Sequence, residues 1–142
     1  MDFKTYISYI EDLLDKLKNN DFDCVLGVLR GGYIPAEIIS RTFNKPLCLI
    51  RLSSYSNRER SEIKELGSIG VPKGKILIVD DLIDSGETLK YLLEKYPNSK
   101  TAVIFNKDVK RDIEPGFYSV KVGNEWIVQP MEVYDDYFKS RM

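Results

Sequence analysis

From Phe3 to Lys18 the apolar residues Tyr6, Ile7, Ile10, Leu13, Leu14 and Leu17 recur at helical spacing, while Glu11, Asp12, Asp15 and Lys16 occupy the other face. That pattern predicts an amphipathic helix ending at Asn19-Asn20. The period then changes. Cys24-Val-Leu-Gly-Val-Leu29 is a short unbroken apolar run, as expected of a strand covered on both faces. Arg30-Gly31-Gly32 interrupts it. Ile34, Ile38, Ile39 and Phe43 then return to helical spacing, with Pro35 acceptable in the first turn, and Leu47 to Leu52 is apolar again. A strand, a helix and a strand in that order predict a parallel pair joined by a right-handed crossover.

Ser53 to Gly74 breaks the rhythm: it is rich in Ser, Arg, Glu, Lys and Gly and poor in apolar residues, and it reads as a long loop of the kind that forms a functional lid or a disordered segment. Lys75 to Val79 is the clearest strand of the chain. Asp80 to Gly86 follows as a turn, Thr88 to Tyr96 as a helix ended by Pro97-Asn98, and Thr101 to Asn106 as another strand. Phe117 to Val122 alternates like a strand of a less buried layer, before Trp126-Ile-Val-Gln-Pro130 and an acidic, aromatic tail. No repeat, low-complexity run or linker divides the chain, so its 142 residues read as one domain, 1–142. Alternating strands and helices predict an α/β fold: an open, mostly parallel twisted sheet with helices on both faces.

Composition narrows the chemistry. The formal net charge of -1 supplies no general attraction for nucleic acid or an anionic membrane, so an anionic substrate needs local devices such as backbone amides, a few cations or a metal. The chain has no His, which excludes a Ser-His-Asp triad, a Cys-His dyad and His-containing zinc sites. The two cysteines, Cys24 and Cys48, each sit in an apolar run and read as buried thiols. No apolar run approaches the roughly 20 residues of a membrane span. The N-terminus also lacks the basic-then-apolar order of a signal peptide, so the cytoplasm is expected.

In an open parallel sheet, ligands bind beyond the carboxyl ends of the strands. Three polar segments fall there: Arg30-Gly31-Gly32, Ser53 onward, and Asp80 to Thr88. The last stands out. The strand Ile76-Leu-Ile-Val delivers Asp80 and Asp81 side by side, then Leu82 and Ile83, a third carboxylate at Asp84, and Ser85-Gly86-Glu87-Thr88 opening a helix. Backbone amides and hydroxyls at a helix N-terminus suit a phosphate, and Gly86 lets the backbone approach it. Asp80 and Asp81 can accept hydrogen bonds from sugar hydroxyls or hold a divalent cation. A phosphate grip and a diol grip so close together match the span of a ribose 5-phosphate.

This string resembles the signature by which type I phosphoribosyltransferases bind 5-phosphoribosyl-1-pyrophosphate (PRPP), and from about Cys24 to Glu132 the chain is similar to the bacterial xanthine-guanine and hypoxanthine-guanine enzymes. The resemblance implies a small C-terminal hood, from about residue 107 to 142, built with the N-terminal segment. It implies PRPP contacts from Asp80 through Thr88, with Glu87 contributing only its amide. It identifies Val28-Leu-Arg30-Gly31-Gly32 with the family's pyrophosphate loop, often with a cis peptide at Leu29–Arg30. Leu52-Ser-Ser-Tyr55 and the charged segment after it resemble the mobile lid, whose basic residue is Arg58 or Arg60.

By the same resemblance, Lys107 donates to purine O6, Trp126 stacks on the base, and the Ile127 backbone reads its edge. Asp84 stands near purine N7 and manages its proton. Asp81 contacts Mg²⁺, and Glu132 takes the place of an Asp near a second metal. The implied reaction transfers phosphoribosyl from PRPP to N9 of a 6-oxopurine, with Mg²⁺ as cofactor, in a homodimer or homotetramer. A non-catalytic sensor of PRPP or a nucleotide is the alternative from another class, weighed against by Asp84, Lys107 and Trp126 and by the lack of a basic surface run. Transfer to a pyrimidine is a third, disfavoured by the Trp126-Ile127 segment.

Overall fold

The structure, a computed structural model, describes residues 1–56 and 61–142. Helix α1 (Phe3–Leu17) starts where the Asp2 carboxylate accepts the Thr5 N–H at 2.8 Å, and it buries the predicted stripe of Tyr6, Ile10, Leu13 and Leu17. The apolar run forms β1 (Cys24–Leu29). Helix α2 (Tyr33–Phe43) follows after the short link Arg30-Gly31-Gly32 and is closed by Asn44 in the left-handed region, with φ 53°. Then come β2 (Leu47–Ser56), β3 (Ser61–Ile69), β4 (Ile76–Ile83), α3 (Glu87–Lys95), β5 (Lys100–Lys107) and β6 (Phe117–Val122). A short 3₁₀ turn, Pro130–Glu132, and α4 (Asp135–Lys139) end the chain.

The six strands form one sheet in the order β3-β2-β1-β4-β5-β6, parallel throughout except for the antiparallel pair β2–β3. Strand alternation divides the core between the two faces. Val25, Leu77, Val79 and Ala102 pack with Leu13 and Leu17 of α1 and Ala36 and Ile39 of α2. Leu26, Val28, Ile76, Ile78 and Val103 pack with Leu89 and Leu92 of α3. The expected α/β sheet with helices on both faces is therefore the fold observed. Cys24 and Cys48 are buried free thiols, and burial pushes both above the ordinary thiol pKa.

Three sequence expectations need correction. Ser53 to Gly74 is mostly not a loop. β2 continues to Ser56 and β3 returns beside it to Ile69, with a register shift between Arg51 and Leu52. The described side chains of this ribbon are largely exposed; backbone pairing holds it, together with Glu65, which accepts from the Tyr91 hydroxyl and Lys95 Nζ, and it carries no apolar alternation to betray it. Nor do Asp80 to Ile83 form a turn. They prolong β4, because β5 offers a parallel partner as far as Ile83↔Asn106. β6 belongs to no separate layer; it is the half-buried outer strand of the same sheet, paired with β5.

Candidate active site

Strand order creates the site. The chain leaves β1 toward β2 on one side, while β4 leads to β5 on the other, so a crevice opens at the carboxyl ends of the neighbours β1 and β4. Arg30-Gly31-Gly32 and Asp84 to Thr88 flank it. The Leu29–Arg30 peptide is cis, as the resemblance implies. The two glycines have different neighbours. A Cβ on Gly32 would lie 2.5 Å from Val28 O and 2.6 Å from Val79 O, against backbone. One on Gly31 would lie 2.2 Å from Asp81 Oδ2. The first glycine loop is thus pressed onto the second carboxylate of β4.

Asp81 is held from three directions. Its Oδ1 accepts the Leu82 N–H at 2.8 Å, its Oδ2 accepts Gln129 Nε2 at 2.6 Å, and Gly31 packs on its carboxyl. Asp80 Oδ1 accepts the Asp81 N–H at 2.8 Å. Its carboxyl is desolvated and faces the Asp81 charge, and those two causes, in that order, raise its pKa well above the usual carboxylate range. Tyr6 brings α1 to the same corner. Burial, and secondarily the Asp81 charge, push its phenol pKa upward, and both its hydroxyl and Gln129 Oε1 are buried without a hydrogen-bond partner. Arg30, Gly31, Asp81, Gln129, Met131, Glu132 and Asp135 line one open cleft.

On the other side of Asp81, the residues Asp80 through Leu89 wrap a smaller recess. Gly86 stands at its floor as the N-cap of α3 with φ 85°, a conformation available to glycine. Ser85 Oγ accepts the Glu87 N–H at 3.4 Å, and Glu87 and Thr88 lie in the first helical turn. Ile83 is buried while Asp84 turns outward, and its Oδ2 meets Lys107 Nζ at 3.2 Å. Lys107 ends β5 and is buried, unusual for a lysine, so this one carboxylate contact carries much of its satisfaction.

The C-terminal segment approaches from above. Ile127 packs on the cluster of Tyr6, Ile10, Ile104 and Phe105, while Trp126 beside it is 79% exposed. The Met1 ammonium donates to Val128 O at 3.1 Å, joining the N-terminal segment to this cover. The structure therefore gathers Arg30, Gly31, Asp80 to Thr88, Lys107, Ile127 and Glu132 around one strand edge, with Trp126 standing open beside them. Arg58 and Arg60 lie outside the described residues.

Three contributors escaped the sequence reading. Gln129 was visible only as part of the hood string, Tyr6 read as ordinary helix core, and Arg111 sat in the charged run Asp108-Val-Lys-Arg-Asp112, indistinguishable from a solvated loop. Gln129 meets Asp81 only through the fold, and although four of the five Arg111 partners lie within five residues of it, only the fold buries that side chain and brings it to Asp84.

A mostly parallel six-stranded sheet with helices on both faces and a crevice at the carboxyl ends of β1 and β4 is the type I phosphoribosyltransferase fold. The phosphoribosyl transferase domain matches residues 3–137, and the chain belongs to that family, a family of glycosyltransferases. It is 28% identical over 129 residues to the xanthine-guanine phosphoribosyltransferase of Idiomarina loihiensis, covering 87% of this chain and 80% of that one. It is similar in structure to a purine phosphoribosyltransferase from Pyrococcus horikoshii, with 27% identity, TM-score 0.80 and coverage of 93% and 92%. It is also similar to the Helicobacter pylori xanthine-guanine-hypoxanthine enzyme, with 25% identity, TM-score 0.77 and coverage of 97% and 96%.

Proposed function

We propose that the protein is a purine salvage enzyme that transfers the 5-phosphoribosyl group of PRPP to N9 of guanine, xanthine or hypoxanthine, giving the nucleoside 5'-monophosphate and pyrophosphate. The observation that supports this best is the contact of Asp84 with Lys107: a carboxylate just beyond β4 and an ammonium at the end of β5 meet at 3.2 Å, a pair suited to reading the N7 and O6 edge of a purine. Both relatives and neighbours named above act on purines, which supports the same reading.

In this reading the amides of Ser85 to Thr88 at the start of α3 hold the 5'-phosphate, and Asp80 and Asp81 hold the ribose hydroxyls. Arg30 and the Gly31 amide receive the diphosphate, with Arg58 or Arg60 as the further basic residue that reaches it. As the bond to pyrophosphate loosens, the ribosyl carbon gains oxocarbenium character and the base lies beside it, so catalysis is chiefly positioning and charge stabilisation. Lys107 donates to O6. As N9 forms its bond to the sugar, Asp84 accepts the proton that N7 gives up. Trp126 closes over the base, and the Ile127 backbone meets its edge.

Mg²⁺ fits the Asp81 corner, where hard oxygens of Asp81 and Glu132 line one cleft and Gln129 Oε1 is left without a donor. Among the described residues no group of three metal-binding side chains converges, so substrate oxygens and water would have to supply the remaining ligands. When bound, the ion neutralises charge on the departing pyrophosphate.

The reading includes a single domain, 1–142, with a hood over 107–142 joined to the N-terminal segment, and assembly into a homodimer or homotetramer through the exposed Tyr134, Tyr137 and Phe138. It places the enzyme in the cytoplasm, with no role for nucleic acid; no described helix is long and apolar enough to cross a membrane.

The test offers the purified protein, Mg²⁺ and PRPP to guanine, xanthine, hypoxanthine, adenine, uracil and orotate while pyrophosphate release is followed. Release with 6-oxopurines is expected. Silence with every base removes the enzyme reading, and turnover confined to a pyrimidine removes the purine one.

A further inference from the structure

We infer that Arg111 is the positioning residue that sets the spacing of the base-reading pair Asp84 and Lys107, an inference that rests on the purine reading above. Every donor of Arg111 is taken by a protein acceptor, so it acts through its neighbours. Its side chain is only 3% exposed, and its guanidinium has no free donor left. Nε donates to Ile113 O at 2.9 Å. Nη1 donates to Lys107 O at 2.7 Å and to Asp84 O at 3.3 Å. Nη2 donates to Asn106 Oδ1 and to Glu114 Oε2 at 3.1 Å. A guanidinium carries five N–H donors in one rigid plane, and all five are used here.

The important feature is the shared nitrogen. Asp84 and Lys107 come from different elements, and their side chains meet at a single 3.2 Å contact that a bound base must enter. Nothing in that contact fixes where the two backbones stand once the base has separated the side chains. The β4–β5 pairing ends one residue earlier, at Ile83↔Asn106, and beyond it Nη1 holds both backbone carbonyls at once. The bond to Lys107 O is the shorter, and Nη2 grips Asn106 next to it, so the firmer hold is on the end of β5. The loop beyond β4 is held more lightly. Disturbing the fork therefore displaces the O6 donor before it disturbs the phosphate loop, and the loss falls on the base more than on PRPP.

Lysine at this position keeps the charge but offers a point donor in place of a planar fork, so it cannot bridge the same acceptors. For Arg111→Lys, KM for the purine is expected to rise about tenfold and kcat/KM for the purine to fall roughly 10- to 100-fold, the order of loss for a reacting group displaced by about an ångström. KM for PRPP should stay within about twofold. Glu114→Gln, which alters only the exposed end of the fork, should leave both constants within about twofold.

Steady-state kinetics with each substrate varied in turn, alongside thermal unfolding, read the result. Unchanged purine kinetics in Arg111→Lys overturns the inference. So does an equal loss for purine and PRPP that tracks a lowered Tm, since that is what general support of the fold would produce. If Arg111→Lys does not fold, Asn106→Ser, which removes one acceptor of the fork, must show the same split on a smaller scale, and its absence counts against the inference. A wild-type protein without purine turnover sinks the underlying reading instead, and the inference with it.

Discussion

Adding one methyl group at Gly31 separates the function of the first glycine loop from its role in the fold. The position does not require a left-handed φ, so alanine is compatible with the backbone and the whole effect falls on what the new Cβ meets. That is the Asp81 carboxyl, with Oδ2 at 2.2 Å and Cγ at 2.4 Å, more than an ångström inside the 3.4 Å where ordinary contact begins. A side chain can rotate away where backbone cannot, so the chain still folds. Asp81 must then leave Gln129 Nε2 and the Leu82 N–H, bonds of 2.6 and 2.8 Å. A hydrogen bond to a charged group contributes about 1.5–3 kcal/mol, and the displaced carboxylate recovers part of that from water, so a stability loss of about 1–2 kcal/mol is expected. The catalytic loss is larger: a displacement of about 1 Å in a positioned group costs about 100-fold. Gly31→Ala should therefore reduce kcat/KM for PRPP about 100-fold while shifting the urea midpoint only modestly. Gly32→Ala is the contrast, since its Cβ would strike the Val28 and Val79 carbonyls, and about 3 kcal/mol or more of destabilisation is expected from a core contact that cannot relax. A Gly31→Ala enzyme with PRPP kinetics within about threefold of wild type would refute the placement of Asp81 at the substrate.

Asp84→Asn retains the size of the side chain but cannot take a proton, so kcat should fall about 10²- to 10⁴-fold with PRPP affinity little changed; isothermal titration and single-turnover kinetics separate the two. Loss of PRPP binding with an unchanged rate on bound substrate would contradict that role. The raised pKa of Asp80 has a thermodynamic consequence: the folded state binds a proton more tightly than the unfolded chain there, so stability declines as pH rises from the ordinary carboxylate range through the raised value. Asp80→Asn, which keeps an acceptor for the Asp81 N–H, should flatten that decline and be the more stable protein at neutral pH, as read by thermal melts from pH 4 to 8. Trp126 is the sole tryptophan and is 79% exposed, so its emission should shift to shorter wavelength when a 6-oxopurine nucleotide covers it. An unshifted spectrum at saturating nucleotide would place the base elsewhere.

The sequence by itself determined the elements whose burial is one-sided or complete. The α1 stripe, the apolar runs of β1, β4 and β5, and the start of a helix after Ser85-Gly86 are legible, because hydrophobic period and turn chemistry are local properties. So was the placement of three polar segments at one edge, since alternating strands and helices with right-handed crossovers leave little choice of topology. Tertiary structure decided the rest. The ribbon of β2 and β3 was read as a loop because backbone pairing between exposed strands leaves no apolar trace. The two turn residues Asp80 and Asp81 became strand residues because β5 was there to pair with them. Above all, contacts that give the site its shape join residues far apart in the chain: Gln129 to Asp81, Lys107 to Asp84, and Arg111 to Asp84. A buried arginine between two loops looks, in sequence, like any solvated one. Only the closing of the sheet edge removes its water and makes five precise partners its remaining option.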